Sequence, residues 1–100
     1  MIEIRQTEEY SDWLRKLRDR QAKANIVMRT QRLASGNAGD VKSVGEGVRE
    51  LRIPLGPGYR VYFVQRGRVL IVLLCGGDKG SQTSDIQRAK ALAATLKEEE

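Results

Sequence analysis

The fold is decided by residues 48–75, VRELRIPLGPGYRVYFVQRGRVLIVLLC. Apolar and polar residues alternate over 48–53 and again over 59–64, which is the period of strands with one buried face. Residues 69–75 form a continuous aliphatic run, typical of a central strand that is covered on both faces. The connections between these runs are short and contain glycine, as tight hairpins require. The stretch therefore predicts an antiparallel meander of three strands.

A strand and two helices are predicted ahead of the meander. Residues 1–6 alternate in the manner of a half-buried strand. Thr7 then offers an N-cap oxygen, and apolar residues recur at helical spacing from there to Gly36. Because such a helix would be too long for a small domain to pack, a break is expected near Asp19, which would cap a second helix. Residues 36–47 are rich in glycine and predict a surface loop. Whether this loop contains a short strand is not decided by the pattern.

An amphipathic helix is predicted after the meander. The segment GGDKGS, residues 76–81, is a glycine-rich loop, and a cap from Ser81, Thr83 or Ser84 is expected to open the helix. Its apolar stripe consists of Ile86, Ala89, Ala93 and Leu96. The predicted order is β-α-α-β-β-β-α, of class α+β, with an antiparallel sheet packed against helices. One hundred residues suffice for a single domain, residues 1–100, and leave no room for a second.

Composition limits the chemistry that this chain can perform. Histidine is absent, which removes the usual general base and the commonest metal ligand. The single cysteine, Cys75, excludes an intrachain disulfide and a cysteine-based metal cluster, and favours an intracellular protein. The sequence has no P-loop, GxGxxG motif, Ser/His/Asp set or metal-ligand spacing, which argues against nucleotide hydrolysis, dinucleotide redox chemistry and metal-assisted hydrolysis. We therefore expect neither a metal nor a cofactor.

Charge and hydropathy indicate the compartment and the class of partner. Lys and Arg number 18 against 13 Asp and Glu, a formal net charge of +5. This balance favours a polyanion or an acidic protein as partner, although it can also merely aid solubility. The apolar run at residues 69–75 is far shorter than the roughly 20 residues of a membrane span, and no N-terminal signal segment is recognisable. A cytoplasmic protein without membrane association is expected.

Two strands of the predicted meander each carry one arginine on the face opposite their apolar residues. Because neighbouring strands lie about 5 Å apart, Arg52 and Arg60 could hold one phosphate between them. Tyr62 shares the face of Arg60 and could stack on a base. Lys79 and the backbone N–H groups of the GGDKGS loop precede a helix N-terminus, a place that attracts anions. Pattern alone nevertheless favours the ordinary interpretation, in which these arginines are solvated and the loop only connects two elements.

Three further cations belong to the first predicted helix. Arg15, Lys16 and Arg18 lie on its outer face, opposite the apolar stripe. Charge on such a face is usually just solvated. We keep these residues as auxiliary RNA contacts.

At the level of whole motifs, the chain resembles a known family. The order of elements, the stretches LRIPLGPGYRVYFVQRG (51–67) and VLIVLLCGGDKGSQTSDI (69–86) and the closing amphipathic helix are similar to the RelE/ParE toxin superfamily, in particular its phage Gp49/HigB-like addiction module killer proteins. The resemblance covers nearly the whole chain. It implies a curved antiparallel sheet on helices and a basic concave face that binds messenger RNA in the ribosomal A site. The implied activity is cleavage of translated mRNA, whereas ParE-like relatives inhibit DNA gyrase.

The resemblance also implies a set of site residues. Arg60 matches the family's strand arginine in its GYR segment, Arg52 matches a cation of the preceding strand, and Lys79 stands where the family has a cation after the last strand. Metal-free cleavage by the 2′-OH builds negative charge on a phosphorane, which arginine and lysine can stabilise. The implied roles are stabilisation of the phosphorane and leaving oxygen by Arg60 and Lys79, and orientation of the phosphate by Arg52.

The chain departs from the family at the proton-transfer positions. Several RNA-cleaving members carry a tyrosine or histidine in or near the last helix, where this chain has Ser84, Asp85 and Ile86. The general base or acid therefore stays open. Asp85 is one candidate, although a carboxylate near the start of a helix is more often a cap. Tyr59 and Tyr62 are others, with core packing or base stacking as the commoner roles.

Three functional hypotheses follow from the resemblance. The first is a ribosome-dependent mRNA endonuclease, the toxin of a type II toxin–antitoxin pair, whose partners are mRNA, the ribosome and a cognate antitoxin of helix-turn-helix type. The second is a ParE-like inhibitor of DNA gyrase that catalyses nothing. The third is an inactive toxin-like module that only binds an antitoxin or nucleic acid.

Overall fold

A five-stranded sheet with helices on both faces forms the structure, a computed structural model that describes residues 2–98. The elements are β1 (Glu3–Gln6), α1 (Glu8–Lys16), α2 (Arg20–Ala34), β2 (Val41–Gly45), β3 (Val48–Ile53), β4 (Tyr59–Arg66), β5 (Leu70–Gly77), a 3₁₀ turn (Lys79–Ser81) and α3 (Gln82–Glu98). The strand order in the sheet is β1-β5-β4-β3-β2. The α+β class and the antiparallel meander β3-β4-β5 are confirmed.

Two strands differ from the sequence expectation. The glycine-rich segment contains a true strand, β2, which pairs antiparallel with β3 and turns back through left-handed residues at Gly45, Glu46 and Gly47. At the opposite edge β1 pairs with β5 in parallel, with Ile4 opposite Ile71, so the sheet is mixed rather than antiparallel throughout. Alternation within a segment predicts a strand but carries no information on its partner or direction. The first residue of the predicted strand, Met1, lies outside the described residues.

The two faces of the sheet bury two separate apolar cores. Helices α1 and α2 cover one face, with a core of Tyr10, Ala22, Ile26, Leu33, Leu51, Ile53, Tyr59, Val61, Phe63, Ile71 and Leu73. Helix α3 covers the other, with a core of Val48, Tyr62, Val64, Val72, Leu74, Cys75 and Ala89. Strand β5 contributes to both cores, which confirms the prediction of a central strand covered on both faces.

The predicted starts of α1 and α2 are confirmed, and a capped 3₁₀ turn precedes α3. The Thr7 hydroxyl accepts a hydrogen bond from the Tyr10 N–H at 3.0 Å, and the Asp19 carboxylate caps α2. Before α3, Asp78 caps the 3₁₀ turn and accepts from the Gly80 and Ser81 amides in a capping box, while α3 itself begins at Gln82, directly after the candidate Ser81. The 3₁₀ turn thus places the first capped amides next to the end of β5.

A bulge near the end of β5 sets which residues face each helix layer. Phe63 pairs with Leu73 and Tyr62 with Cys75, so one extra residue stands on β5 between them. Beyond this bulge, a Cβ on Gly76 would overlap the Trp13 ring of α1, and a Cβ on Gly77 would overlap the Asp85 carboxylate of α3. Both layers therefore approach the strand end more closely than a side chain would permit.

No helix within residues 2–98 combines the length and apolarity that crossing a lipid bilayer would require.

Replacing Gly76 by alanine is expected to destabilise the fold, because the new methyl group would force the packed Trp13 ring away from the sheet. We expect a loss of about 2 kcal/mol or more in the free energy of unfolding, measured by urea denaturation. The matched control is Gly80→Ala in the exposed loop, where the nearest atom to a new Cβ is Asp78 Oδ1 at 3.1 Å. Equal stabilities of the two variants would contradict the close Trp13 packing.

Candidate functional site

The two strand arginines meet at one end of the sheet. Arg52 stands directly opposite Arg60 across the β3-β4 hairpin, and Arg60 in turn pairs with Gly77 at the end of β5. Both belong to the α3 face, because Leu51, Ile53 and the neighbouring apolar residues fill the opposite core. The Arg52 side chain is 39% exposed. Two like charges directly opposite each other are unfavourable, so this arrangement depends on nearby compensation.

Lys79 joins the two arginines at this end of the sheet. It is exposed and lies beside the β3-β4 turn, where a Cβ built on Gly58 would be 3.5 Å from the Lys79 Cβ. Within residues 2–98 neither Lys79 nor Arg60 forms an ion pair. We call Arg52, Arg60 and Lys79 the cation cluster.

The loop amides that were expected to attract an anion are already occupied. Gly80 donates its N–H to Asp78 Oδ1 at 2.8 Å, and Ser81 donates to the same oxygen at 3.2 Å. An internal carboxylate thus takes the place that a bound anion would have at this helix start. The loop therefore contributes the Lys79 side chain, and these two amides are not free donors.

A buried glutamate, missed by the sequence analysis, lies next to the cation cluster. Glu50 is fully buried and accepts a hydrogen bond from Gln82 Nε2 of α3 at 2.9 Å. Its other oxygen lies 3.5 Å from Arg52 Nε and 3.7 Å from Lys42 Nζ, both beyond ideal hydrogen-bond length. A signal for it exists in the sequence, because alternation in VRELRI places Glu50 on the same face as Val48 and Arg52.

Contacts determine the charge state of Glu50. Burial alone would raise its pKa, but the hydrogen bond from Gln82, the nearby Tyr62 hydroxyl and the charges of Lys42 and Arg60 together hold the pKa below its usual range. Glu50 is therefore an anion at neutral pH, and it is buried beneath a positively charged surface.

The two tyrosines that were candidates for RNA contacts are both buried. Tyr62 is fully buried on the α3 face, so its ring is closed to a base; burial and the Glu50 charge raise the pKa of its phenol. Tyr59 belongs to the opposite core, where its ring makes an edge contact with Trp13 at a centroid distance of 6.4 Å. Base stacking by either tyrosine does not fit this burial. Each lies on a sheet face that a helix layer covers.

Asp85 lies at the sheet end, on the first turn of α3. Its Oδ2 accepts a hydrogen bond from the Ser81 hydroxyl at 2.5 Å and lies over Gly77, the cross-strand partner of Arg60. Burial raises the pKa of this carboxyl, and the charges of Asp78 and Glu9 add to the rise against the effect of Ser81. The cap of the turn is Asp78, so Asp85 is available for another role.

The three cations of α1 lie apart from this constellation. Arg15, Lys16 and Arg18 are exposed at and just beyond the end of α1, which packs on the sheet face opposite α3. Arg15 pairs with Asp12 at 2.6 Å. No hydrogen bond or ion pair among the described residues links them to the cation cluster.

Comparison with known proteins gives the family. A family model described as "Phage derived protein Gp49-like" matches residues 12–98. The chain belongs to this Gp49-like family. It is a family of RelE-like toxins. A protein of Haemophilus influenzae described as "Uncharacterized protein" is 52% identical over 95 residues, which cover 95% of this chain and 96% of the relative.

The Gp49-like match includes every residue of the candidate site. The match starts within α1 and ends with α3, so the cation cluster, Glu50 and Asp85 all lie inside it. Strand β1 precedes it, although β1 completes the edge of the sheet beside β5.

Cys75 is a core residue of this Gp49-like protein rather than a nucleophile. Its side chain is buried next to α3, with its sulfur 3.7 Å from the Asp85 carbonyl oxygen. Burial, with smaller contributions from the charges of Asp85 and Glu9, raises the pKa of the thiol to about 12. The reactive thiolate form is therefore scarce at neutral pH.

Cys75 is expected to react with Ellman's reagent at pH 8 more than about 100-fold more slowly in the folded protein than in urea, since folding both buries the thiol and raises its pKa. Absorbance at 412 nm follows the reaction, and Cys75→Ser supplies the blank. A native reaction as fast as that of the unfolded chain would contradict this placement.

Proposed function

We propose that this protein is the toxin of a type II toxin–antitoxin pair and cleaves translated mRNA on the ribosome without a metal or cofactor. The observation that carries the proposal is the convergence of Arg52, Arg60 and Lys79 at one end of the sheet. Membership of a RelE-like toxin family supports it. Cytoplasmic mRNA in the ribosomal A site would be the substrate, and a helix-turn-helix antitoxin the inhibitory partner. The whole chain, residues 1–100, would act as one domain.

Each member of the cation cluster has a role in this proposal. The ribose 2′-OH loses its proton to water and attacks the adjacent phosphorus to form a phosphorane, and the 5′-oxygen departs with a proton from a general acid to leave a cyclic phosphate. Arg60 and Lys79 would stabilise the negative charge of the phosphorane and leaving oxygen, while Arg52 orients the phosphate. A rigid hairpin suits this task, because cross-strand pairing fixes the separation of the two arginine backbones.

Asp85 is the remaining candidate for proton transfer in this mechanism. Its raised pKa is the direction that a general acid requires, and it lies over the cross-strand partner of Arg60. Tyr59 and Tyr62 are less suited, because both are buried among core residues. Arg15, Lys16 and Arg18 could add phosphate contacts remote from the reacting atoms.

The first test replaces Arg60 by alanine and compares it with Arg49→Ala, an exposed arginine of the neighbouring strand that lies outside the cation cluster. We expect Arg60→Ala to reduce mRNA cleavage by about 100-fold and relieve growth inhibition, because it removes a phosphorane-stabilising charge. Arg49→Ala should remain toxic. Primer extension on a translated reporter mRNA and colony counts after induction provide the measurements. Full toxicity of a folded Arg60→Ala variant would overturn the assignment.

The second test replaces Asp85 by asparagine, which can still accept the Ser81 hydrogen bond but has no titratable proton. We expect a loss of about 100-fold in the single-turnover cleavage rate with ribosome binding unchanged. The pH dependence of the rate should flatten. An unaltered rate and pH profile would remove Asp85 from the proton-transfer step.

A gyrase inhibitor is a second candidate, and a specific observation favours it. Tyr59 and Tyr62 are both buried, which leaves Asp85 as the remaining candidate for proton transfer and suits a protein that binds without catalysing. Inhibition of DNA supercoiling by the purified protein, with translated mRNA left intact, would select this candidate. Harmless expression without an antitoxin would instead select an inactive binding module.

A further inference from the structure

The polar atoms beneath the cation cluster form an unusual buried set. Four side-chain polar atoms there are buried without a hydrogen-bond partner among the described residues: Glu50 Oε1, Arg52 Nε, Arg60 Nε and Tyr62 Oη. One is an acceptor and the other three can donate. Burying polar groups without hydrogen bonds is costly, and only Glu50 Oε1 and Arg52 Nε offset part of that cost through their 3.5 Å ion pair, so a set of four in one place calls for a functional explanation.

Glu50 connects this set to the surrounding elements. It lies on β3, receives a hydrogen bond from Gln82 on α3 and lies within ion-pair distance of Lys42 on β2. Across the sheet its Cα partner on β4 is Tyr62. One buried carboxylate thus contacts side chains of β2, β3 and α3 and lies opposite Tyr62 of β4.

Glu50 is also the counter-charge of Arg52, and the charge of Arg60 acts on it without an ion-pair contact. Within residues 2–98 it is the only acid within ion-pair distance of any member of the cation cluster, through the 3.5 Å approach of its Oε1 to Arg52 Nε. Arg52 and Arg60 face each other across the hairpin, where their like charges oppose the pairing. A buried anion one strand position inward offsets this repulsion without occupying the exposed side of the cluster.

We propose that Glu50 is a positioning residue, a buried anion that holds the Arg52 and Arg60 side chains together at the sheet end before a phosphate arrives. The 3.5 Å and 3.7 Å approaches are long enough for Arg52 and Lys42 to turn toward a substrate, whereas the 2.9 Å bond to Gln82 fixes the carboxylate itself. The proposal relies on the proposed function for the identity of the substrate only, because the arrangement of the arginines is a property of the free protein.

The first test measures the free protein. Hydrogen exchange of the Arg52 and Arg60 Nε–H groups is followed by NMR in wild type, in Glu50→Gln and in Glu46→Gln, an equal loss of charge at an exposed residue. We expect exchange to quicken by about tenfold in Glu50→Gln at unchanged melting temperature, and to stay unchanged in Glu46→Gln. Unchanged exchange in folded Glu50→Gln would overturn the proposal, whether or not the protein cleaves RNA.

The second test is a double-mutant cycle on reporter mRNA cleavage in a translation extract. Glu50→Gln should slow cleavage by about tenfold in the wild-type background and by much less in the Arg52→Ala background, since positioning acts through Arg52. Faster cleavage in Glu50→Gln would mean that the carboxylate merely repels RNA, and equal losses in both backgrounds would mean a general structural role. Either result overturns the proposal. If the wild type does not cleave, the proposed function fails and the exchange measurement alone decides.

A second variant, Glu50→Asp, tests the proposal in case Glu50→Gln does not fold. Glu50→Asp keeps the charge but withdraws the carboxylate by one methylene from Arg52. We expect it to fold, to quicken Nε–H exchange and to slow cleavage. Wild-type behaviour of this variant would overturn the proposal.

Discussion

The covering of β5 on both faces is the constraint on which the rest of the structure depends. Strand β5 lies between β1 and β4 in the sheet, with α1 on one face and α3 on the other. A strand in this position must be apolar along its length, and residues 71–75 are all buried. At its end both helix layers come too close for side chains, which explains the glycines at 76 and 77. The same close approach places the Asp85 carboxylate over Gly77, the cross-strand partner of Arg60.

Internal carboxylates balance much of the positive charge at this end of the sheet. Asp78 occupies the amides of the turn before α3, and Glu50 lies buried beneath the arginines. On the outside, Arg88 of α3 makes a bidentate ion pair with Glu9 of α1, which joins the two helix layers. Among the described residues Arg60 and Lys79 form no ion pair, although the charge of Arg60 acts on the buried Glu50.

The arrangement of charged groups at this end of the sheet bears on whether the toxin acts by catalysis or by binding alone. A phosphate that is bound by Arg52, Arg60 and Lys79 needs a group that moves a proton before the phosphate can be cleaved. Burial raises the pKa of Asp85 and both tyrosines are buried, so the proposed mechanism assigns proton transfer to Asp85. Membership of the Gp49-like family places the protein among RelE-like toxins. The presence of a proton-transfer group distinguishes a toxin that cleaves RNA from one that only binds its target.

The sequence by itself determined the local features of this protein. Alternation predicted β3 and β4, and the aliphatic run predicted a β5 that is covered on both faces. Thr7 and Asp19 indicated the starts of α1 and α2. These features depend on neighbours along the chain, so their signal is present in short windows. The proximity of Arg52 and Arg60 also followed from the tight hairpin between their strands, whereas their direct register came from the structure.

Only the tertiary structure decided the features that join distant segments. The parallel pairing of β1 with β5 and the recruitment of β2 into the sheet depend on partners far along the chain. The burial of Tyr62 and the contact of Glu50 with Gln82 depend on where α3 packs, 32 residues after Glu50. Amphipathic patterns show that a strand face is covered, but they do not identify the helix or strand that covers it. Packing therefore fixed the charge state of each candidate side chain and its accessibility to solvent.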